Sequence, residues 1–292
     1  MDDTQSGSTQ VAESEETFCY AHPKTATKLR CSRCDRPICG RCAIPASVGQ
    51  HCPECVAEAR RTTRRVKSVA RATAPVVLGL IAINVVVFLG QMTMPDLTNR
   101  FAAFVAAIDG GEWWRLLTAM FLHGGVIHIA FNMYVLYGYG PHVEQTFGSV
   151  RFLILYLICG FGGSALSYAF NDCLSRSVGA SGALFGVVGL LLVYFYKRSG
   201  SRFNAEAMRT LLIFVALNLV LGFVVPRIDN LAHIGGLLTG VALGVGFDRG
   251  GSMKRSAALI QFVTAVVVAG VALALVLYRT ANLDCSFLFQ FG

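Results

Sequence analysis

Residues 179–186 read Gly179-Ala180-Ser181-Gly182-Ala183-Leu184-Phe185-Gly186, and they open an apolar stretch that runs to about residue 197. A second stretch opens Leu231-Ala232-His233-Ile234-Gly235-Gly236 and continues through Gly240 and Gly244. Gly182 and Gly186 lie four apart, so they share one helix face. Gly236, Gly240 and Gly244 repeat that spacing. Small residues at this period let two helix backbones approach closely in a membrane. Packed at those stripes, Ser181 and His233 come to similar depth. A serine within reach of an imidazole is the minimum unit of nucleophilic acyl transfer.

The rest of the chain fits a membrane setting. It has 292 residues, 54% hydrophobic and only 14% charged, with a mean hydropathy of +0.56. About a quarter of a soluble domain's residues are charged. Most of the charge lies before Pro75. Beyond it, seven apolar stretches cover about 76–94, 115–138, 150–170, 180–197, 208–226, 231–248 and 257–278. Crossing the hydrocarbon core takes about 20 residues, so the fourth and sixth are short. The sequence therefore predicts an all-α, multi-pass membrane protein. No cleavable signal peptide is visible in the acidic, polar first residues.

The net charge of +8 has its source beside the membrane. Arg60, Arg61, Arg64, Arg65, Lys67 and Arg71 immediately precede the first apolar stretch. Such a cluster marks the cytoplasmic side and attracts anionic lipid. With that linker inside, Arg151, then Lys197, Arg198, Arg202 and Arg209, then Arg249, Lys254 and Arg255 also fall inside. The N-terminus is then cytoplasmic and the C-terminus extracytoplasmic. Ser181 and His233 lie toward the outer side.

An ionisable residue within a membrane helix is costly and marks a functional candidate. Set against this, small-residue stripes are common helix glue, and a lone buried histidine is often a packed core residue. A third cluster adds weight: the second stretch carries His123, then His128 and Asn132 four apart on one helix face. A histidine N–H, an asparagine amide and the Ser181 backbone N–H at a helix start supply donors for a developing oxyanion.

These segments, with Glu112-Trp113-Trp114-Arg115, resemble the rhomboid proteases over about residues 76–248. The resemblance implies a six-helix core with a water-accessible cavity open to the outside. It implies a Ser–His dyad without a catalytic acid, Ser181 as nucleophile and His233 as base, and His128 and Asn132 as oxyanion donors. It also implies transmembrane proteins as substrates, cut in or near the membrane, with no cofactor for catalysis. Trp114 and Arg115 match a loop segment lying sideways in the outer leaflet. The seventh stretch is an addition to the six. The family's aromatic four residues after the serine is often Tyr; here it is Phe185, which keeps stacking on His233 but loses the hydroxyl. Asp229 reads as a polar loop residue and not as a triad acid. The other readings are a catalytically silent rhomboid-like protein that binds membrane clients, and a transporter, for which no polar stripe or inverted repeat is visible.

Seven of the ten cysteines lie between Cys19 and Cys55. Cys19 with His22, Cys31 with Cys34, Cys39 with Cys42 and Cys52 with Cys55 form four pairs spaced to grip a tetrahedral ion. Eight ligands fit about two structural zinc ions in a reducing compartment. Interleaved pairing resembles a B-box-type cross-brace; consecutive pairing is the alternative, and His51 is a competing ligand. So short a segment cannot build a sufficient apolar core, and metal supplies its stability. A cytoplasmic protein is the expected partner of this module, and nucleic acid is not. The divisions read as a disordered tail (1–17), a zinc module (18–56), a basic linker (57–74), the catalytic core (75–250), and an added transmembrane helix with its tail (251–292).

Overall fold

In a computed structural model, the structure describes residues 16–46, 48–62, 74–94, 96–226, 228–247, 254–282 and Cys285; the side chains of 60–62 and 254–257 are not described. Residues 1–15 of the expected disordered tail and most of the basic linker, including Arg64, Arg65, Lys67 and Arg71, fall outside these residues; Thr17, at the end of that tail, exchanges two hydrogen bonds with Thr27 and so belongs to the folded module. The chain divides into two compact units, Met1–Arg71 and Ala72–Gly292.

The first unit has two short hairpins, Phe18–Cys19 with His22–Ala26 and Ile44–Pro45 with Gln50–His51, followed by helix α1 (Pro53–Thr62). Its buried interior consists of Ile38 and six cysteines, with Tyr20 and Ala43 packed against them. One isoleucine is far too little apolar surface to offset the ordering of some 40 residues.

The second unit is helical. In order come α2 (Pro75–Thr93), α3 (Asp96–Phe101), α4 (Val105–Asp109), α5 (Arg115–Thr118) and α6 (Val126–Phe147). There follow α7 (Ser149–Phe170), α8 (Ser181–Tyr196), α9 (Arg202–Val224), α10 (Asn230–Phe247) and α11 (Lys254–Asn282). Among the described residues, α2, α7, α9, α10 and α11 are long and apolar enough to span a membrane. Residues 115–147 make a sixth span if the bent pair is counted as one, and α8 is apolar but shorter. This is a multi-pass membrane protein with the seven apolar segments the sequence predicts.

The second segment departs from expectation. Residues 115–121 form α5 and a short 3-10 turn, and the chain then bends by 92° before α6. The break falls at Leu122–Gly125, where Gly124 and Gly125 offer no helix propensity. Helix α6 then runs past 138, through Pro141, to Phe147, and Gly148 with φ 88° turns the chain into α7. Its buried Glu144 accepts hydrogen bonds from the Val76 and Val77 N–H groups at 3.1 and 2.9 Å. Those are orphan donors of the first turn of α2, which Pro75 opens.

Helix α8 is the centre of the bundle: from Gly182 to Leu191 every residue is buried. It packs on α10 and α7 through glycines. A Cβ at Gly236 would lie 1.9 Å from the Gly182 carbonyl oxygen, and one at Gly240 would lie 2.0 Å from the Gly186 oxygen. Gly163 of α7 completes the junction, 3.3 Å from Gly182 Cα by the same construction. The backbones of three helices thus touch just below Ser181 and His233.

Helix α11 packs beside α7 and the segment 103–119, in a cluster that includes Tyr168, Ala272, Val276 and Cys285. Cys285 forms a disulfide with Cys173 in the loop after α7. The sequence reading did not anticipate this bond. It closes a stretch of 112 residues, and restraining a loop of that size in the unfolded chain is worth about 4–5 kcal/mol in the chain-entropy model. Cys173→Ser is therefore expected to lower the thermal midpoint in detergent by several degrees. Equal midpoints for variant and wild type would rule out a stabilising role.

Candidate active site

Ser181 is the first residue of α8, so its N–H lacks an intrahelical acceptor and points out of the helix start. The turn that delivers it is fixed on both sides. Gly179 has φ +129°, a conformation L side chains rarely adopt, and its N–H donates to the Ala119 carbonyl at 2.9 Å. A Cβ there would lie 2.7 Å from His128 Nε2 and 3.6 Å from Asn132 Nδ2. His128 and Asn132 therefore stand directly against the turn entering Ser181. One residue pair upstream, Arg176–Ser177 forms a two-residue sheet with Ala103–Phe104, and Arg176 lies over the Phe104 ring, 4.3 Å from its centroid.

The tautomer of His128 follows from its partner. The Gly124 N–H donates to Nδ1 at 3.2 Å, so Nδ1 is the acceptor and the proton of the neutral ring sits on Nε2. That N–H faces Gly179. The Asn132 Nδ2 is buried and has no hydrogen-bond partner among the described residues. Two donors thus converge, with no acceptor bonded to them among the described residues, against the turn that enters Ser181. His123 is buried, its ring nitrogens have no hydrogen-bond partner among the described residues, and it contacts His128 edge-on at 5.1 Å.

His233 lies in the first turn of α10 and is buried. The Phe185 ring stacks on it, with centroids 4.3 Å apart and planes within 6°. The stacking expected of Phe185 is thus present. Phe185 in turn contacts Phe214 of α9 at 6.1 Å. The Nδ1 of His233 has no hydrogen-bond partner among the described residues. Asp229 is committed elsewhere: its carboxylate accepts from the Ala232 N–H at 3.0 Å and from the Ser167 hydroxyl at 2.5 Å.

Ser181, His233, His128 and Asn132 all line one open cleft of about 1170 Å³, with Phe131, Phe185 and Phe214 on its apolar side. The cleft sits between α6, α8, α9 and α10. In chemical terms it offers a hydroxyl, an imidazole, and a donor array about a helix start. That set suits attack on a carbonyl and stabilisation of the resulting oxyanion.

The known proteins this chain is similar to bear on the site directly. The model of the Rhomboid domain matches residues 110–249, which contain every one of these side chains. A Bacillus subtilis (strain 168) protein named "Putative rhomboid protease YdcA" is 35% identical over 138 residues, covering 47% of this chain and 68% of the relative. The chain belongs to the rhomboid family. This rhomboid is also 46% identical over 138 residues to "RHOMBOID-like protein 6, mitochondrial" of Arabidopsis thaliana, covering 47% and 44% of the two chains. It is 40% identical over 164 residues to "Rhomboid protease GluP" of Bacillus subtilis, covering 54% of this chain and 32% of that one. It thus spans less than half the length of these last two relatives.

Trp113 and Trp114 are exposed, while Arg115 is buried. Arg115 pairs with Glu112 at 2.5 Å and donates to the Asn99 and Ala102 carbonyls. Its charge holds the loop before α5 together. The sequence reading missed Ser167 and the commitment of Asp229, because neither carries a motif and their meeting joins residues 62 apart.

In the other unit the eight expected ligands gather into two sets. Cys19, His22, Cys39 and Cys42 form one, and Cys31, Cys34, Cys52 and Cys55 the other, each with its donor atoms within 4.8 Å of one another. The arrangement is the interleaved one. His51 belongs to neither set and pairs with Ile44 in a hairpin. Asp35, at φ 59°, turns the chain tightly just after Cys34.

The thiols show why such sets fit a cation. Burial raises the Cys19 thiol, but hydrogen bonds from the Cys39 and Ala21 backbones and from His22 outweigh it and bring it down to about 6. Cys31, buried but bonded by the Cys52, Arg33 and Cys34 backbones, also comes down to about 6. Burial and the neighbouring Cys39 and Cys19 push Cys42 up to about 11. Bonds to Cys52 and Cys34, with burial, push Cys55 up to about 12. Crowded thiolates repel one another, and a divalent cation removes that repulsion.

Proposed function

We propose that this chain is an intramembrane serine endopeptidase that cuts transmembrane proteins in or near their membrane segments. The observation that carries this is the joint placement of Ser181, His233, His128 and Asn132 around one cleft within a membrane bundle. Ser181 Oγ attacks the scissile carbonyl while His233 takes its proton. The carbonyl oxygen gathers negative charge opposite the Ser181 N–H, His128 Nε2–H and Asn132 Nδ2. The protonated His233 then gives its proton to the leaving amine, and the acyl-enzyme is released by water activated on the same imidazole. Asp229 takes no part in these transfers, since its oxygens are engaged with Ala232 and Ser167.

The basic residues beside the apolar stretches support a cytoplasmic N-terminus and an extracytoplasmic active-site face. The cysteine chemistry agrees with that orientation. The thiol sets of residues 19–55 suit a reducing compartment, and the Cys173–Cys285 bond suits an oxidising one. The soft, tetrahedral donor sets suit zinc, whose role here is to hold the N-terminal module folded. We assign the module to cytoplasmic protein contact.

Ser181→Ala is expected to abolish cleavage of a single-pass transmembrane reporter and labelling by a fluorophosphonate probe, with an unchanged thermal midpoint. Cleavage by that variant at the wild-type rate would defeat the protease reading. A wild type that neither cleaves nor labels, yet retains transmembrane clients, would instead identify a silent client-binding protein.

A further inference from the structure

The first turn of α10 decides where His233 stands, because among the described residues no hydrogen bond fixes its ring in its own plane. Stacking on Phe185 leaves the ring free to slide, and Nδ1 has no hydrogen-bond partner among the described residues. A helix's first turn has no intrahelical partners for its N–H groups and frays unless these are capped. Here Asp229 does both parts of the capping. Its carbonyl accepts from the His233 N–H at 3.2 Å, and its side chain accepts from the Ala232 N–H at 3.0 Å.

Asp229 is itself held from outside α10. The buried Ser167 hydroxyl of α7 donates to its second oxygen at 2.5 Å. Ser167 accepts from Asn171 Nδ2 at 3.0 Å. The Asn171 carbonyl accepts from Arg279 of α11 at 3.0 Å. Immediately after Ser167 on α7, Tyr168 meets Thr280 of α11 at 2.9 Å. A continuous polar path therefore runs from the end of the seventh helix to the imidazole's own backbone.

We infer that Asp229 is a positioning residue for His233, and that α11 acts as the brace of that residue through Arg279, Asn171 and Ser167. This rests on the reading of Ser181 and His233 as the reacting pair. It gives the added seventh helix a function inside the catalytic cycle: it holds the base in register with the serine. The effect is on geometry and so on turnover. Asp229 lines the cleft beside His233, while the substrate's apolar contacts fall to Phe131, Phe185 and Phe214.

The test uses the full-length protein in liposomes with a single-pass transmembrane reporter, reading kcat and KM separately, with thermal midpoints alongside. Asp229→Ala is expected to lower kcat about tenfold to a hundredfold, the scale of a misplaced catalytic group, with KM within about twofold. Asp229→Asn keeps a good cap and is expected to recover most of that loss. Arg279→Met should lower kcat by a smaller factor, and combined with Asp229→Ala it should add little, as coupled residues do. A normal kcat for Asp229→Ala, a loss carried by KM, or equal damage from Ala and Asn would each overturn the inference. Labelling of wild type at Ser181 separates the two readings. If wild type labels and Asp229→Ala turns over normally, only the brace fails; if wild type does not label, the catalytic reading fails and takes the brace with it.

Discussion

Gly236→Ala should cost this protein most of its proposed proteolytic activity, by about a hundredfold or more, and lower its thermal midpoint together with it. The added methyl would sit 1.9 Å from the Gly182 carbonyl oxygen and 2.7 Å from its carbon. Both are backbone atoms, so no side-chain rotation relieves the clash. The helices α8 and α10 have to move apart. Ser181 is one residue before Gly182, and His233 is three before Gly236, so the proposed serine–histidine pair separates with them. A displacement of about 1 Å in such a pair costs on the order of a hundredfold in rate. The same replacement at Gly270 of α11, where a Cβ meets nothing within 4 Å, should be neutral or stabilise by up to about 1 kcal/mol through helix propensity. Reporter cleavage and thermal unfolding of the two variants check this. Comparable behaviour at both positions would mean that the glycine junction does not set the site.

The second large effect lies in the N-terminal module. A chain carrying Cys31→Ser and Cys52→Ser together should keep one of the two metal ions proposed for the wild type. Both residues belong to the same four-donor set, so only that site is lost. Consecutive pairing would place them in different sites and remove both ions. Cys19→Ser with Cys39→Ser should likewise leave one. Structural zinc in modules of this size contributes apparent binding energies of about 10–16 kcal/mol, and Ile38 with a ring of cysteines offers little else. The surviving site should therefore hold a locally ordered hairpin while the other half of the module becomes protease-sensitive. Metal analysis of the purified full-length variants gives the count. Two ions in either double variant would exclude these ligand sets, and none would exclude the interleaved grouping.

Much of this architecture was legible because membranes impose few choices. Each apolar stretch had to become a helix, since a backbone in lipid must satisfy its own hydrogen bonds. The four-residue glycine spacing on two of them announced a close backbone contact, and Gly182 meets Gly236 accordingly. What was not legible came from places where hydropathy is blind. Leu122 and Val126 flank the bend before α6 and are as apolar as a continuous helix requires, so the 92° break could not be read from them. The cysteine spacing gave four pairs but not their partners, because consecutive and interleaved pairing use the same intervals. Cys173 and Cys285 lie 112 residues apart in loops that carry no pattern. Asp229 looked like one more polar loop residue; its role appears only once α7 brings Ser167 beside it.

Helix α8 is 16 residues long, and at 1.5 Å per residue it measures about 24 Å. Lys197 and Arg198 follow its far end, Lys197 donating to the Val245 carbonyl and Arg198 lying over the Tyr194 ring, and such side chains settle at the polar boundary. A hydrocarbon core is about 30 Å thick. The start of α8 therefore stops roughly 6 Å short of the opposite boundary. Hydrolysis consumes a water molecule for every bond cut, and at that depth the lipid supplies none. For the proposed protease, the shortness of one helix thus turns solvent delivery into a structural duty, one that falls to the polar wall of the cleft that His128, Asn132 and Ser181 share.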